Sequence, residues 1–85
     1  MHYVYVLKSL KSTFLYIGET KDLKRRFSEH NSARVGFTSK HKPLKLVYYE
    51  AYNDSQDAIK REKMLKQYGA SLAQLKKRLY HSLLK

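Results

Sequence analysis

The sequence predicts a small α/β (α+β) domain in which helices pack on a short antiparallel sheet, in the order ββα–β–αα. Three observations carry this. Eighty-five residues make one domain, 1–85, with no room for a second. Three segments are rich in β-branched and aromatic residues. Three others carry apolar residues at helical spacing behind capping side chains.

The first strand is residues 2–8, HYVYVLK, with Tyr3, Tyr5 and Leu7 on one face and Val4 and Val6 on the other. A polar stretch leads into a second strand, Phe14 to Glu19, where Leu15 and Ile17 alternate with Tyr16 and Gly18. The two strands make a hairpin. Thr20 is the expected N-cap of a first helix running to about Asn31, with Asp22 adding a carboxylate to its first turn. Residues 32–43 hold a glycine, a proline and several basic side chains, which predicts a basic loop before a third strand over 44–52. Asn53 with Gln56 reads as a capping box opening a second helix through about Tyr68, with Gly69 as its C′ residue. Ser71 with Gln74 repeats the capping signal, and Leu72, Leu75, Leu79 and Leu83 stripe a last helix.

Composition narrows the function. Lys and Arg number 18 against 7 Asp and Glu, for a formal net charge of +11, an imbalance that draws in polyanions, above all nucleic acid. With no cysteine, a disulfide scaffold and a Cys-based zinc site are both excluded. The start MHYVYVLKS is unlike a signal peptide, and no apolar run approaches the ~20 residues that span a bilayer. The cytoplasm is the expected compartment, with no membrane partner.

Several side chains break the helical pattern. In the first helix Leu23 and Phe27 define the buried side, and Arg26 and His30 lie within about 60° of Leu23, so they should flank that side. In the second helix Ala58 and Leu65 mark the inner face and Glu62 falls between them. An inward carboxylate is costly unless it is paired or binds a metal. Lys66, four residues on, could supply an ordinary ion pair, so helix geometry alone leaves both readings open.

Tyr3-Val4-Tyr5, Tyr16-Ile17-Gly18, Arg26 with His30, and Arg61-Glu62 together resemble the GIY-YIG nuclease family, in particular its small stand-alone URI-domain members. The resemblance runs from Tyr3 to about Leu79. It implies a three-stranded antiparallel sheet flanked by helices, with a catalytic site of Tyr5, Tyr16, Arg26, His30 and Glu62. Glu62 is then the ligand of a divalent metal, Mg²⁺ or Mn²⁺. The implied activity is endonucleolytic hydrolysis of phosphodiester bonds, in DNA rather than RNA, with branched, damaged and single-stranded forms as the structures to test.

In that chemistry Arg26 offers a planar fork to the scissile phosphate. Tyr5 or Tyr16 takes a proton, and His30 orients a tyrosine or moves the proton itself. Arg34, Lys40, His41 and Lys42 of the basic loop are expected to track the nucleic-acid backbone. Two departures stand out: Tyr3 replaces the first motif's glycine, and no Asn follows Glu62, where larger members carry one. The competing class is a non-catalytic nucleic-acid-binding module on the same scaffold.

Overall fold

The computed structural model describes residues 1–32 and 40–85, so Arg34 and most of the predicted basic loop lie outside the described residues. Strand β1 (His2–Ser9) is central, β2 (Leu15–Thr20) and β3 (Leu44–Tyr52) flank it, and both pairings are antiparallel. Helix α1 (Leu23–Asn31) follows β2, while α2 (Ser55–Lys66), α3 (Ala70–Arg78) and the short α4 (Tyr80–Leu84) follow β3. The α+β architecture is the expected one. Among the described residues, no helix is long and apolar enough to cross a membrane.

Strand alternation splits the interior into two clusters. Val4, Val6 and Ile17 pack with Ala58 and Leu65 of α2, Leu72 and Leu75 of α3, and Leu79. On the opposite face Tyr5, Leu7 and Leu44 pack with Phe14, Tyr16, Leu46, and Leu23 and Phe27 of α1. The β1–β3 register slips where Val6 pairs with Tyr48 but Leu7 pairs with Leu46. Val47 is the extra residue of a β-bulge, so Val47 and Tyr48 both pack towards α2 and α3. Tyr49 is thereby set opposite Tyr5.

The helix ends depart from expectation in consistent ways. The α1 N-cap is Asp22, whose Oδ1 accepts from Arg25 N at 3.1 Å, not Thr20. Thr20 Oγ1 instead accepts from Asp22 N and sets the preceding turn. The α2 cap is Asp54, accepting from Gln56 N at 2.7 Å, not Asn53. In both cases the neighbouring Asp is nearer the free N–H groups of the first turn. Between α2 and α3 the residue with left-handed backbone is Tyr68 (φ 56°), not Gly69. Gly69 is the N-cap of α3, so Ser71 already sits inside the helix and cannot cap it. The single last helix is two, parted at Leu79, although Leu79 is buried and Leu83 still packs against the core.

Candidate functional site

The candidate site is assembled where α1 crosses the hairpin. Tyr5 belongs to the central strand and is buried, at 1 % exposure. Its hydroxyl shares a hydrogen bond of 2.9 Å with His30 Nε2. Tyr16 completes the group, its ring centroid 4.7 Å from that of His30 and 6.2 Å from that of Tyr5. His30 does more than flank the helix's inner side. It is the one fully buried residue of α1, while Leu23 and Phe27 are only half-buried. The helix's deepest position is therefore spent on an imidazole.

Gly18 makes this possible. It pairs with Tyr5 across the β1–β2 ladder. A Cβ there would fall on the Tyr5 hydroxyl and 2.5 Å from its Cζ. The Tyr5 ring thus occupies the space a side chain would take, leaning across β2. The sequence motif contains Gly18, but its steric purpose shows only once the register is known.

Burial pushes the Tyr5 phenol up to about 12, and the neighbouring Tyr16 adds to this. The Arg26 guanidinium, by hydrogen bonding and charge, works against that rise, and the Glu62 carboxylate works with it. For His30, burial and then the Arg26 charge hold the imidazole below its ordinary 6.5, so it is neutral at pH 7. Arg26 is half-buried and its Nη1 donates to Glu29 Oε1 at 3.1 Å.

Helix α2 straddles the sheet with two adjacent charges. Ala58 and Leu65 are fully buried. Glu62 lies beside them at 21 % side-chain exposure, a flanking position and not the centre of the inner face. Its Oε2 is 3.4 Å from Lys66 Nζ, and that ammonium lies 5.6 Å from the centroid of the Tyr16 ring. Arg61, on the other flank, grips Glu50 of β3 through Nε and Nη2 at 3.0–3.1 Å. Glu50 also accepts from Tyr48 Oη at 2.6 Å and from Tyr52 Oη. Burial alone would raise the Glu50 carboxyl, but the Arg61 fork and the two hydroxyls outweigh it and hold it below its ordinary value. The alternation Tyr48-x-Glu50-x-Tyr52 was the available sequence signal for this network.

Of the predicted backbone-binding residues, Lys40 is exposed and Lys42 half-buried. The His41 ring is stacked on Phe14, with centroids 3.7 Å apart, and the His41 carbonyl accepts from Ser9 Oγ. His41 therefore ties the segment before β3 to the hairpin.

The donor set bears on what ion could bind. Among the described residues no group of three His, Asp or Glu side chains could cage a metal. Glu62 offers a single carboxylate whose charge reaches the Tyr5 phenol. That suits a hard cation that keeps most of its own waters.

The GIY-YIG catalytic domain model matches residues 1–80. The chain belongs to the GIY-YIG family. GIY-YIG membership makes it a nuclease-family domain with nucleic acid as substrate class, and nucleases of this family are generally metal-dependent. Similar chains include a UPF0213 protein of Streptococcus agalactiae, 42 % identical over 66 residues that cover 76 % of this chain and 74 % of that one. A UPF0213 protein of Staphylococcus saprophyticus is 35 % identical over 68 residues, 79 % of this chain and 82 % of that one. A solution NMR structure of a UPF0213 protein from Bacillus halodurans is 31 % identical, covering 78 % of this chain and 70 % of that one, with a TM-score of 0.49.

Proposed function

We propose that residues 1–85 form a single catalytic unit that hydrolyses phosphodiester bonds in DNA, with Glu62 as ligand of a Mg²⁺ or Mn²⁺ ion. The observation that carries the reading is the Tyr5–His30 hydrogen bond of 2.9 Å, on whose phenol the fields of Arg26, Tyr16 and Glu62 converge.

The shifted groups restrict how the proton can move. Burial opposes a phenolate at Tyr5, so Tyr5 is a poor base by itself. A neutral His30 relieves this. As attacking water gives its proton to the Tyr5 oxygen, Tyr5 passes its own to His30 Nε2, and no phenolate need accumulate. The hydroxide forms its bond to phosphorus, the ester P–O bond breaks, and solvent protonates the departing oxygen. The imidazolium left on His30 returns its proton by the same path. Arg26 turns its fork from Glu29 to the non-bridging oxygens, where charge grows in the transition state. Tyr16, half-buried against His30, holds the imidazole in line. Glu62 would hold a divalent ion, which would supply Lewis-acid stabilisation of the phosphate charge when bound.

The test is cleavage of labelled plasmid, single-stranded, branched and RNA substrates, with and without Mg²⁺ or Mn²⁺. Cleavage that requires the metal and falls at least about 100-fold in Glu62→Ala is expected, since a metal supplies several kcal/mol at the transition state. Metal-dependent cleavage undiminished in Glu62→Ala would overturn the assignment. The absence of an Asn after Glu62 favours the competing reading of a binding module, for which binding without cleavage of any substrate is the deciding outcome.

A further inference from the structure

Helix α1 has a second flank. Arg26 and His30 face the Tyr5 group, whereas Leu23 and Phe27 border an open cleft of about 490 Å³ between α1 and the sheet. Its other walls are Leu46 and Tyr49 of β3 and Tyr3 of β1. This volume is in the range of sites that hold small molecules.

The walls are aromatic where they are most open. Tyr49 is 53 % exposed, whereas Leu44 and Leu46 on the same face of β3 are buried or half-buried in the cluster they share with α1. Tyr3 meets it edge to face, with centroids 5.9 Å apart and planes at 67°, so the two rings are not stacked on each other. The rim is basic: Lys21 and Lys24 both line the cleft and both are exposed. The acid on the rim, Asp22, is occupied in capping α1. An apolar, aromatic floor under two ammonium groups fits a planar base joined to phosphates.

We propose that this cleft is a subsite for one unpaired nucleobase of a DNA single strand, stacked on Tyr49 with Lys21 and Lys24 on its flanking phosphates. The proposal rests on the nuclease reading for its substrate class. Duplex DNA does not fit, because its bases are stacked inside a stiff rod and cannot enter a pocket beside a helix. A single strand crossing α1, whose width with side chains is about 10–12 Å, covers it with about three nucleotides even at the duplex rise of 3.4 Å. A base held in the cleft is therefore a few nucleotides from a phosphate at the Tyr5–His30 pair. The site would then select DNA with an unpaired stretch on one side of the cut.

The experiment measures binding by fluorescence anisotropy in EDTA, so that no cleavage competes. The probes are an oligothymidine single strand, the same strand with its bases removed near the middle, and a blunt duplex of equal length. The wild-type chain is expected to bind the intact strand about tenfold better than the abasic one, in line with the worth of one base–aromatic stack. Tyr49→Ala should lose that tenfold on the intact strand and bind both strands alike. Tyr49→Phe, which keeps the ring, should match the wild type. Lys24→Ala should weaken both strands by the same factor, as a phosphate contact does. Thermal melting of each variant confirms folding, which the exposure of Tyr49 makes undemanding. Equal affinity for intact and abasic strands, or an unchanged Tyr49→Ala, overturns the subsite. Metal-dependent cleavage of a single strand without any Tyr49 dependence overturns it while leaving the nuclease reading intact. Tyr49-dependent strand binding without cleavage upholds it while removing that reading, and no affinity for any probe overturns both.

Discussion

The two faces of the sheet use burial differently. Behind β1, Val4, Val6 and Ile17 meet α2 and α3 in a cluster of aliphatic side chains at 9 % exposure or less. In front, the buried set includes a tyrosine and a histidine joined by a hydrogen bond, and the helix above them is nine residues long and only partly covers the sheet. The rear cluster removes apolar surface from water, with its polar groups confined to the Glu50–Arg61 network at its edge. The front face gives its driest positions to groups that carry protons, and it leaves Tyr3 and Tyr49 beside a cleft. A domain this small keeps its polar site rigid by letting one face do most of the stabilising.

Two substitutions of similar size should separate these roles. Leu75→Ala, in the rear cluster, leaves a cavity and is expected to lower stability by about 2–5 kcal/mol, a large share of a small domain's total. Its cleavage rate per folded molecule should stay within a few-fold of wild type below the melting transition. Gly18→Ala adds one methyl group in front and should do the reverse. Its Cβ displaces the Tyr5 ring, which cannot swing freely because it is buried and bonded to His30. Cleavage should drop by about 100-fold, as expected when a reacting group is misplaced by an ångström, with a smaller loss in melting temperature. Denaturation curves and initial rates on the same preparations decide it. If Leu75→Ala alone lost activity in the folded state, the division between faces would be wrong.

How much of this was legible beforehand follows from the range of each interaction. Strand and helix positions depend on local periodicity, and the three strands and the α1 and α2 spans lie close to where the sequence put them. Caps were misread by one or two residues because Thr20 and Asp22, or Asn53 and Asp54, have nearly equal capping chemistry. Only the first-turn geometry chooses between them. The inward lean of His30 was visible from its angle to Leu23, but its complete burial needed the hairpin beneath it. The bulge at Val47 and the purpose of Gly18 depend on which residues face each other across paired strands, and the Glu50–Arg61 network on how α2 docks against β3. No local pattern encodes either.

The contrast also predicts pH behaviour, smaller in effect than the substitutions. His30 is held below its ordinary 6.5 when folded, so the unfolded chain binds its proton more readily. Its contribution to stability is whole above about pH 6.5 and is lost as pH falls through the lower folded value. Tyr5 has the opposite sign. Raised from 10.0 to about 12, it contributes fully below pH 10 and loses that contribution as pH climbs through about 12. Tyr52 on the rear face shares the alkaline window, being also raised to about 12, while Glu50 acts below 4.5. In melting temperature against pH, His30→Phe should therefore flatten the step below 6.5, and Tyr5→Phe should shrink the alkaline fall without abolishing it. An unchanged acid limb in His30→Phe would place the titrating group elsewhere.

The mildest change tests how the two faces meet, at Glu62. Lys66 pairs with this carboxylate from the next turn of α2. The pair is partly exposed, at 43 % for Lys66 and 21 % for Glu62, so its removal should cost no more than about 0.5 kcal/mol. Stability is then the wrong place to look. Lys66→Ala frees a Glu62 oxygen and removes a positive charge from the place where the proposed cation would bind. The metal concentration giving half-maximal cleavage should fall a few-fold, with maximal rate nearly constant. Lys66 also lies over the Tyr16 ring, and if it served to bind phosphate there, the maximal rate would drop and the metal dependence would not move. A titration of Mg²⁺ against rate, for wild type and Lys66→Ala, distinguishes a lysine that guards the carboxylate from one that grips the substrate.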